Sequence, residues 1–176
     1  MDLGTKTGFA CNHWADFYCG TWSLAKASEI TAQHKTRMDR RSDIRAHRLF
    51  NNLRYCIDTY QISAIVFEDV LFASSRMQTQ LWASLRTVVW LVAHAMGISL
   101  IECVPTGTLK KFAGHGGATK EMMGKFLCAQ DTRFCRVGER NPKFFFRKGE
   151  ALQEIDDNAI DAVWLHRWAQ QNLCKA

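Results

Sequence analysis

Residues 62–69 read ISAIVFED, a short apolar run, rich in β-branched residues, that ends in two acids. An unbroken apolar run of this length predicts a buried strand, because a parallel strand covered by helices on both faces has no polar side. The acids Glu68 and Asp69 then lie at the carboxyl end of that strand. Open α/β sheets bind ligands at this edge, so the stretch indicates both a fold class and the position of a site.

Helical periodicity flanks this strand on both sides. Residues 43–60 carry apolar side chains at spacings of three and four, and residues 77–97 repeat the pattern. ISLIECV, residues 98–104, predicts a further strand. Helices are also expected in residues 105–114, from about Ala118, and in residues 156–172, and together they favour the α/β class.

The first 25 residues show a different, aromatic-rich pattern. Short runs within residues 7–14 and 17–25, together with a strand that holds Asp2, predict an antiparallel meander. Residues 26–42 and 131–149 are polar or irregular and are expected to be loops. The prediction is therefore one domain, residues 1–176, with a five-stranded mixed sheet in which strands 1–3 are antiparallel and strands 4 and 5 are parallel.

Composition excludes several classes of protein. No apolar run approaches the ~18 residues needed to cross a bilayer, so we expect a soluble, intracellular protein without a membrane partner. Seven cysteines are scattered singly, and without a Cys-x-x-Cys pair a structural zinc site is not expected. Residues 106–148 hold ten Lys/Arg and three Asp/Glu, whereas the whole chain has a net charge of +6. This basic segment favours a polyanionic partner over a merely soluble loop.

Acidic residues on three predicted elements suggest a metal site. Asp2 and Glu68 end two strands that are expected to be neighbours, and Asp157 and Asp161 share one face of the last helix. Like charges four residues apart destabilise an isolated helix, and a divalent cation would remove that conflict. Each acid alone has a plainer interpretation as a turn, strand-end or N-cap residue. Together they favour Mg²⁺, which prefers oxygen ligands.

Four stretches in order, MDLGTKTGFA, IVFED, VPTGTLKKFAGHGGATKEMM and DDNAIDAVWL, resemble the RuvC-type crossover junction endodeoxyribonucleases. The resemblance runs over nearly the whole chain. It implies a ribonuclease H-like fold and a homodimeric, Mg²⁺-dependent nuclease that cuts four-way DNA junctions, in recombination, repair or phage DNA processing. Two ions per active site are implied, and Mn²⁺ is expected to substitute.

The resemblance also assigns roles to individual residues. It implies that Asp2, Glu68 and Asp161 are catalytic metal ligands, with either Asp157 or Asn158 as the fourth. We choose Asp157, because a carboxylate binds Mg²⁺ better than an amide does. Lys120, behind glycines at a predicted helix start, is expected to assist catalysis by gripping a phosphate near the scissile bond. His115 in the glycine-rich loop is a weaker candidate for assisting a water molecule.

A wider set of residues is expected to contact DNA, through phosphate neutralisation or base stacking. It comprises Lys110, Lys111, Lys120, Phe72, Arg133, Arg136, Arg140, Lys143, Arg147 and Lys148. For Phe72 a core position is an equal alternative. The helix in residues 77–97 is expected to line a dimer interface, because Trp82 and Trp90 exceed what one buried face needs.

Other interpretations compete with this one. They are a ribonuclease H-like nuclease for other branched DNA or RNA–DNA hybrids, a non-catalytic DNA-binding relative, and an ATP-binding module, whose second Asp-x-Gly hairpin is missing. The expected location is the cytoplasm of a bacterial or phage-infected cell. Only Met1 precedes the acid of the first strand, so that strand is expected to be unusually short or to lack its beginning.

Overall fold

The structure, a computed structural model, describes residues 1–35, 43–70, 75–139 and 141–173. In chain order its elements are β1 (Lys6–His13), β2 (Asp16–Ser23), α1 (Ala27–Lys35), α2 (Ile44–Tyr60), β3 (Ala64–Asp69), α3 (Arg76–Ala95), β4 (Leu100–Pro105), α4 (Thr106–Ala113), α5 (Lys120–Gln130), β5 (Phe134–Val137), β6 (Lys143–Lys148), β7 (Ala151–Ile155) and α6 (Asp157–Leu173). No helix in these ranges is long and apolar enough to cross a membrane.

The strand predicted from ISAIVFED is β3, and it pairs in parallel with β4 from Ala64↔Leu100 to Asp69↔Pro105. Its side chains alternate between two core clusters. Ile65 and Phe67 pack with α2 and α3, whereas Val66 packs against the cluster formed with α4, α5 and α6. Apolar contacts on both faces explain why the strand has no polar side.

The long helices begin and end where local chemistry favours it. Asp43 caps α2 by accepting a hydrogen bond from the backbone N–H of Arg45, and Ser75 caps α3 through the N–H of Gln78. Helix α2 ends at Gln61, which adopts a left-handed backbone conformation. These boundaries lie within two residues of those expected from hydrophobic periodicity.

The five-stranded single sheet is not formed as expected. The strands divide into a β1–β2 hairpin, the β3–β4 pair and a three-stranded β5–β6–β7 sheet. Met1 and Asp2 lie between the first two groups: the N-terminal amine donates to the Val66 carbonyl over 2.6 Å, and Asp2 forms a bridge with Gly8. The predicted first strand is thus reduced to a two-residue contact, too short to pair as a strand.

Two segments expected to be loops contain regular structure. Helix α1 lies within residues 26–42, where Glu29 accepts hydrogen bonds from the backbone of Lys26 and from Arg48 of α2. Strands β5 and β6 lie within residues 131–149 and continue into β7. Phe144 and Phe146 of β6 are buried, and a side chain at Gly124 of α5 would overlap the Phe144 ring. Both segments are stabilised by residues that are remote in the sequence, and local sequence patterns do not reveal such contacts.

Candidate metal-binding active site

Asp2 is held in place by a closed turn at the start of β1. Its backbone exchanges two hydrogen bonds with Gly8, of 3.1 and 3.0 Å. Inside the turn, the fully buried Thr7 hydroxyl donates to the Gly4 carbonyl at 2.8 Å and accepts from the Gly4 N–H at 3.3 Å. The hydroxyl thus satisfies backbone groups inside the turn that joins Asp2 to β1.

Glu68 lies beside Asp2 at the end of β3. Its N–H donates to the Met1 carbonyl at 3.0 Å, so the two acids occupy neighbouring extended segments. Its side chain is buried, with 7% of its surface exposed. The carboxyl edge of the parallel pair therefore presents a carboxylate into the protein, at the place that the sequence predicted.

Helix α6 brings the third acid. At Gly8 a side chain would overlap the backbone carbonyl of Asn158, so glycine allows the helix start to approach β1 closely. Asp156 caps the helix by accepting from the N–H of Ala159 at 3.1 Å and also accepts from the Thr21 hydroxyl of β2. These contacts place the first turns of α6, including Asp161, against the hairpin.

Asp2, Glu68 and Asp161 converge on one point. A carboxylate oxygen from each lies within 4.8 Å of one from the other two, and this group is the one arrangement of three or more potential metal-binding side chains within the described ranges. Asp161 is 1% exposed, and its carboxylate contacts the Lys120 ammonium, with no backbone N–H or hydroxyl donor among the described residues. A buried carboxylate with one partly exposed partner is costly unless a further cation or donor compensates it. An all-oxygen donor set of this kind fits Mg²⁺ or Mn²⁺.

The electrostatics of the group agree with a cation site. Burial, together with the Glu68 carboxylate, raises the pKa of Asp2 from 3.8 to about 6, although Lys120 acts in the opposite direction. The buried Met1 amine lies in the same environment, and burial lowers its pKa from 8.0 to about 5. Both shifts show a site in which the protein itself compensates charge poorly.

Lys120 is the first residue of α5, behind the Thr119 N-cap, and its ammonium forms an ion pair with Asp161. About half of its side chain is exposed, at 47%. It can therefore reach both the carboxylates and a ligand arriving from solvent. The glycine-rich loop before it is compact, because Gly114 leaves no room for a side chain beside Phe126.

The structure does not bring Asp157 into the group of three. Asp157 is the first residue of α6 and is exposed, whereas Asn158 is partly buried and donates to Asp156 at 3.2 Å. His115 is also exposed and packs edge-on to Phe126. The contact between Asp156 and Thr21 has no signature in the sequence, because the two residues are far apart in the chain.

The predicted DNA-contacting residues fall into three groups. Phe72 and Arg140 lie outside the described residues. Several of the others already contact acids or aromatic rings: Arg133 with Asp131 at 2.7 Å, Arg136 with Glu121 at 3.9 Å, Lys143 with Glu154 at 3.0 Å, and Lys148 over the Tyr18 ring at 4.7 Å. Lys110 and Lys111 lie in the last turn of α4, and Arg147 is exposed on β6.

An α/β fold whose strand edge and last helix bring three carboxylates together is typical of the ribonuclease H-like class of proteins. The family model described as Crossover junction endodeoxyribonuclease RuvC matches residues 24–129. The match covers more than half of the chain, and the chain belongs to this family. The matched range includes Glu68 and Lys120, whereas Asp2 and Asp161 lie on either side of it.

Individual relatives agree with the family. A RuvC crossover junction endodeoxyribonuclease from Roseiflexus sp. (strain RS-1) is 30% identical over 79 residues, 45% of this chain and 47% of the relative. The match thus spans about half the length of that relative. Thermus thermophilus RuvC in complex with Holliday junction substrate is 15% identical, with a TM-score of 0.60 over 97% of this chain and 92% of that one. A second T. thermophilus RuvC structure gives 13% identity and a TM-score of 0.54 with the same coverage. The similarity to these two structures supports the assignment of the α/β fold described above.

Proposed function

We propose that residues 1–176 form a single Mg²⁺-dependent endonuclease domain that resolves four-way DNA junctions by two-metal phosphodiester hydrolysis. The observation that carries the proposal is the group formed by Asp2, Glu68 and the buried Asp161, three carboxylates that converge on one point. Family membership gives this group a nuclease context. The solved relative bound to a Holliday junction supports branched DNA as the substrate.

Each residue of the group has a defined part in the proposed reaction. Asp2, Glu68 and Asp161 would hold the ions, and Asp157 is the proposed fourth ligand. When bound, the ions would lower the pKa of a coordinated water and stabilise charge on the leaving oxygen. Burial of Glu68 and Asp161 keeps these two carboxylates out of bulk water, which strengthens their attraction for a cation.

Lys120 positions the phosphate. Its ammonium pairs with Asp161 in the structure, and once cations neutralise that carboxylate the half-exposed lysine is free to contact a phosphate oxygen. The start of α5 adds partial positive charge at the same place. Lys110, Lys111 and Arg147 extend this basic surface, whereas Lys143 must first leave Glu154.

We further propose that the enzyme acts as a homodimer in the cytoplasm of a bacterial or phage-infected cell. Helix α3 supports the dimer, because Met77, Trp90 and Leu91 are exposed on it at 63%, 42% and 62%. Trp82, expected at the same interface, instead packs against the core between α2 and α3. Two copies would present two sites to a junction that has two equivalent strands to cut.

The test is cleavage of a synthetic four-way junction with Mg²⁺, beside a linear duplex of the same sequence and an RNA–DNA hybrid. Symmetric cutting of the junction is expected, with little cutting of the other two. Asp2→Asn and Asp161→Asn should each slow cleavage by roughly two orders of magnitude or more. Asp58→Asn, on an exposed acid of α2 outside the group, is the matched control. Unchanged cutting by Asp2→Asn would contradict the site, and preference for the hybrid would support the alternative substrate.

A further inference from the structure

A cavity of about 800 Å³ lies beside the second half of α6. Its walls come from α6, α4, the end of α5 and the tip of the β1–β2 hairpin, and none of Asp2, Glu68 and Asp161 lines it. Arg167, which does line it, lies about 9 Å further along α6 than Asp161, by the rise of an α-helix. The cavity is therefore separate from the proposed nuclease site.

Two arginines form the charged wall of this cavity. Arg133 and Arg167 line it, whereas the carboxylate that binds them, Asp131, does not. Arg133 donates to Asp131 through Nε at 3.1 Å and through Nη2 at 2.7 Å. Arg167 donates to the same carboxylate through Nη2 at 2.7 Å. Two guanidinium groups thus share one carboxylate and keep a net positive charge. Within the described ranges, no acid lines the cavity.

The surrounding contacts hold both guanidinium groups in defined orientations. Arg133 lies over the Phe17 ring at 4.9 Å. Arg167 lies over the Trp164 ring at 5.3 Å. Burial acts to raise the pKa of Asp131, but hydrogen bonds from both arginines outweigh it and lower that pKa from 3.8 to about 2. Asp131 therefore stays charged at neutral pH, and arginines positioned in this way lose less entropy when they bind an anion.

Arg133 has donors left for a ligand. Half of its side chain is exposed, and its Nη1 makes no hydrogen bond within the part of the chain that the structure describes. His166, another lining residue, shows the sign of the local charge: burial, and then the positive charges of the N-terminus, Arg133 and Arg167, lower its pKa. Guanidinium groups bind phosphate through paired hydrogen bonds, so this wall favours a phosphate group.

The remaining walls suit a planar ring with polar edges. Phe112 and Trp164 supply apolar surface, as is common in small-molecule sites. The exposed side-chain amides of Asn12, Gln170 and Gln171 also line the cavity, and among the described residues they make no hydrogen bond. Side-chain amides form paired hydrogen bonds with adenine. A nucleobase therefore matches these walls, as a phosphate matches the arginines.

We propose that this cavity binds one nucleotide, with the phosphate at Arg133 and Arg167 and the base between Phe112 and the amides of α6. A free nucleoside monophosphate and an unpaired nucleotide of a DNA strand share this chemistry, because each offers a phosphate beside a base. A volume of about 800 Å³ is in the range of pockets that hold ligands of this size. The inference does not depend on the proposed function, since binding is measured without Mg²⁺ and without cleavage.

The test is isothermal titration calorimetry with dAMP, beside inorganic phosphate and deoxyadenosine. We expect saturable dAMP binding with a Kd below about 1 mM, and binding of each fragment should be roughly tenfold weaker or more. Arg133→Gln should weaken dAMP binding by roughly tenfold or more, because charged hydrogen bonds are lost. Asp131 keeps its ion pair with Arg167 in this variant, so α5 and α6 stay linked. Arg54→Gln, on the exposed surface of α2, removes the same charge outside the cavity and should leave Kd unchanged.

NMR on the unaltered chain keeps the test decisive if Arg133→Gln folds poorly. Titration with dAMP should shift the Arg133 Nε–H and Gln170 amide resonances and leave that of Arg54 in place. A short single-stranded oligodeoxyadenylate distinguishes the two sources: tighter binding than dAMP assigns the cavity to a DNA strand, and equal or weaker binding assigns it to a free nucleotide. The proposal is overturned by absent saturation, by equal affinities for phosphate and dAMP, or by equal losses in Arg133→Gln and Arg54→Gln.

Discussion

Asp161 is the buried acid whose charge the protein compensates least. Its carboxylate is 1% exposed, and among the described residues its polar partner is the half-exposed ammonium of Lys120. Burying a charge with so little compensation lowers the stability of the cation-free protein. The same carboxylate is therefore well prepared to bind a cation.

Replacing this carboxylate should separate stability from metal binding. Without Mg²⁺, Asp161→Asn is expected to unfold at the same temperature as the parent chain or higher, because a buried charge is lost. The parent should gain about 2.7 kcal/mol at a Mg²⁺ concentration 100 times Kd, and Asp161→Asn should gain almost nothing. Thermal unfolding with and without Mg²⁺ measures both quantities. An equal Mg²⁺-induced shift in the variant would remove Asp161 from the site.

The same titration decides between Asp157 and Asn158 as the fourth ligand. Asp157 is exposed and outside the group of three, whereas Asn158 is partly buried beside Gly8. If Asp157 binds the ion, Asp157→Asn should weaken Mg²⁺ binding more than Asn158→Ala does. The reverse order would assign the position to Asn158.

Among elements, the contact between β1 and α6 matters most for the site. Gly8 lies against the backbone of Asn158, and Thr21 of β2 bonds to the Asp156 cap. The hairpin thus sets both the depth and the direction of the helix that carries Asp161. A displacement of α6 would separate Asp161 from Asp2 and Glu68 without changing any ligand.

Gly8→Ala should therefore damage both fold and site. Its new methyl group would overlap a backbone carbonyl, which cannot rotate away, so the free energy of unfolding should fall by roughly 2 kcal/mol or more. The matched control is Gly107→Ala in α4, where nothing lies within 4 Å and alanine favours the helix. Chemical denaturation compares the two. If Gly8→Ala were as stable as the parent, the close approach would not be required.

The elements that the sequence predicted are those with strong periodicity. Residues 43–60 and 77–97 carry an apolar stripe with helical spacing, which predicted α2 and α3. The unbroken apolar run before Glu68 predicted β3, a strand buried on both faces. Helix α1 and strands β5–β7 did not, because they depend on partners such as Arg48 and Gly124 that are remote in sequence. The convergence of Asp2, Glu68 and Asp161 was expected because the ends of neighbouring strands meet at one edge of a sheet, and because the sequence resembles the RuvC family. The position of Asp157 was harder to predict, because it is the first residue of α6. A shift of the helix start by one residue would turn its side chain to a different direction.

For the molecule as a whole, acid stability should depend on His166. This residue of α6 packs on the Phe17 ring at 5.2 Å. Burial, and then the nearby positive charges of the N-terminus, Arg133 and Arg167, lower its pKa from 6.5 to about 4. The folded protein therefore holds the neutral imidazole, while the unfolded chain takes up a proton near pH 6.5. The resulting stability is fully present above pH 6.5 and is lost as the pH falls toward 4.

The expected loss between pH 7 and pH 4 is about 3 kcal/mol from this group. Urea unfolding of the parent and of His166→Gln, across that range and without Mg²⁺, isolates it. Their difference cancels the other titrating groups, among them Asp2, whose raised pKa acts in the opposite direction. His94→Gln, on the exposed surface of α3, should keep the parental profile. Parallel profiles for His166→Gln and the parent would show that His166 does not control acid stability.

The acidic group draws its members from regions of the chain that are made at very different times. Asp2 emerges from the ribosome early and Glu68 near the middle of synthesis, but Asp161 arrives only with the last helix. Domains fold as units and the N-terminal part is available first. A nascent chain that has already built β1 to β4 therefore has an incomplete set of ligands. Under the proposed function, cutting activity therefore requires that translation has passed the residues of α6.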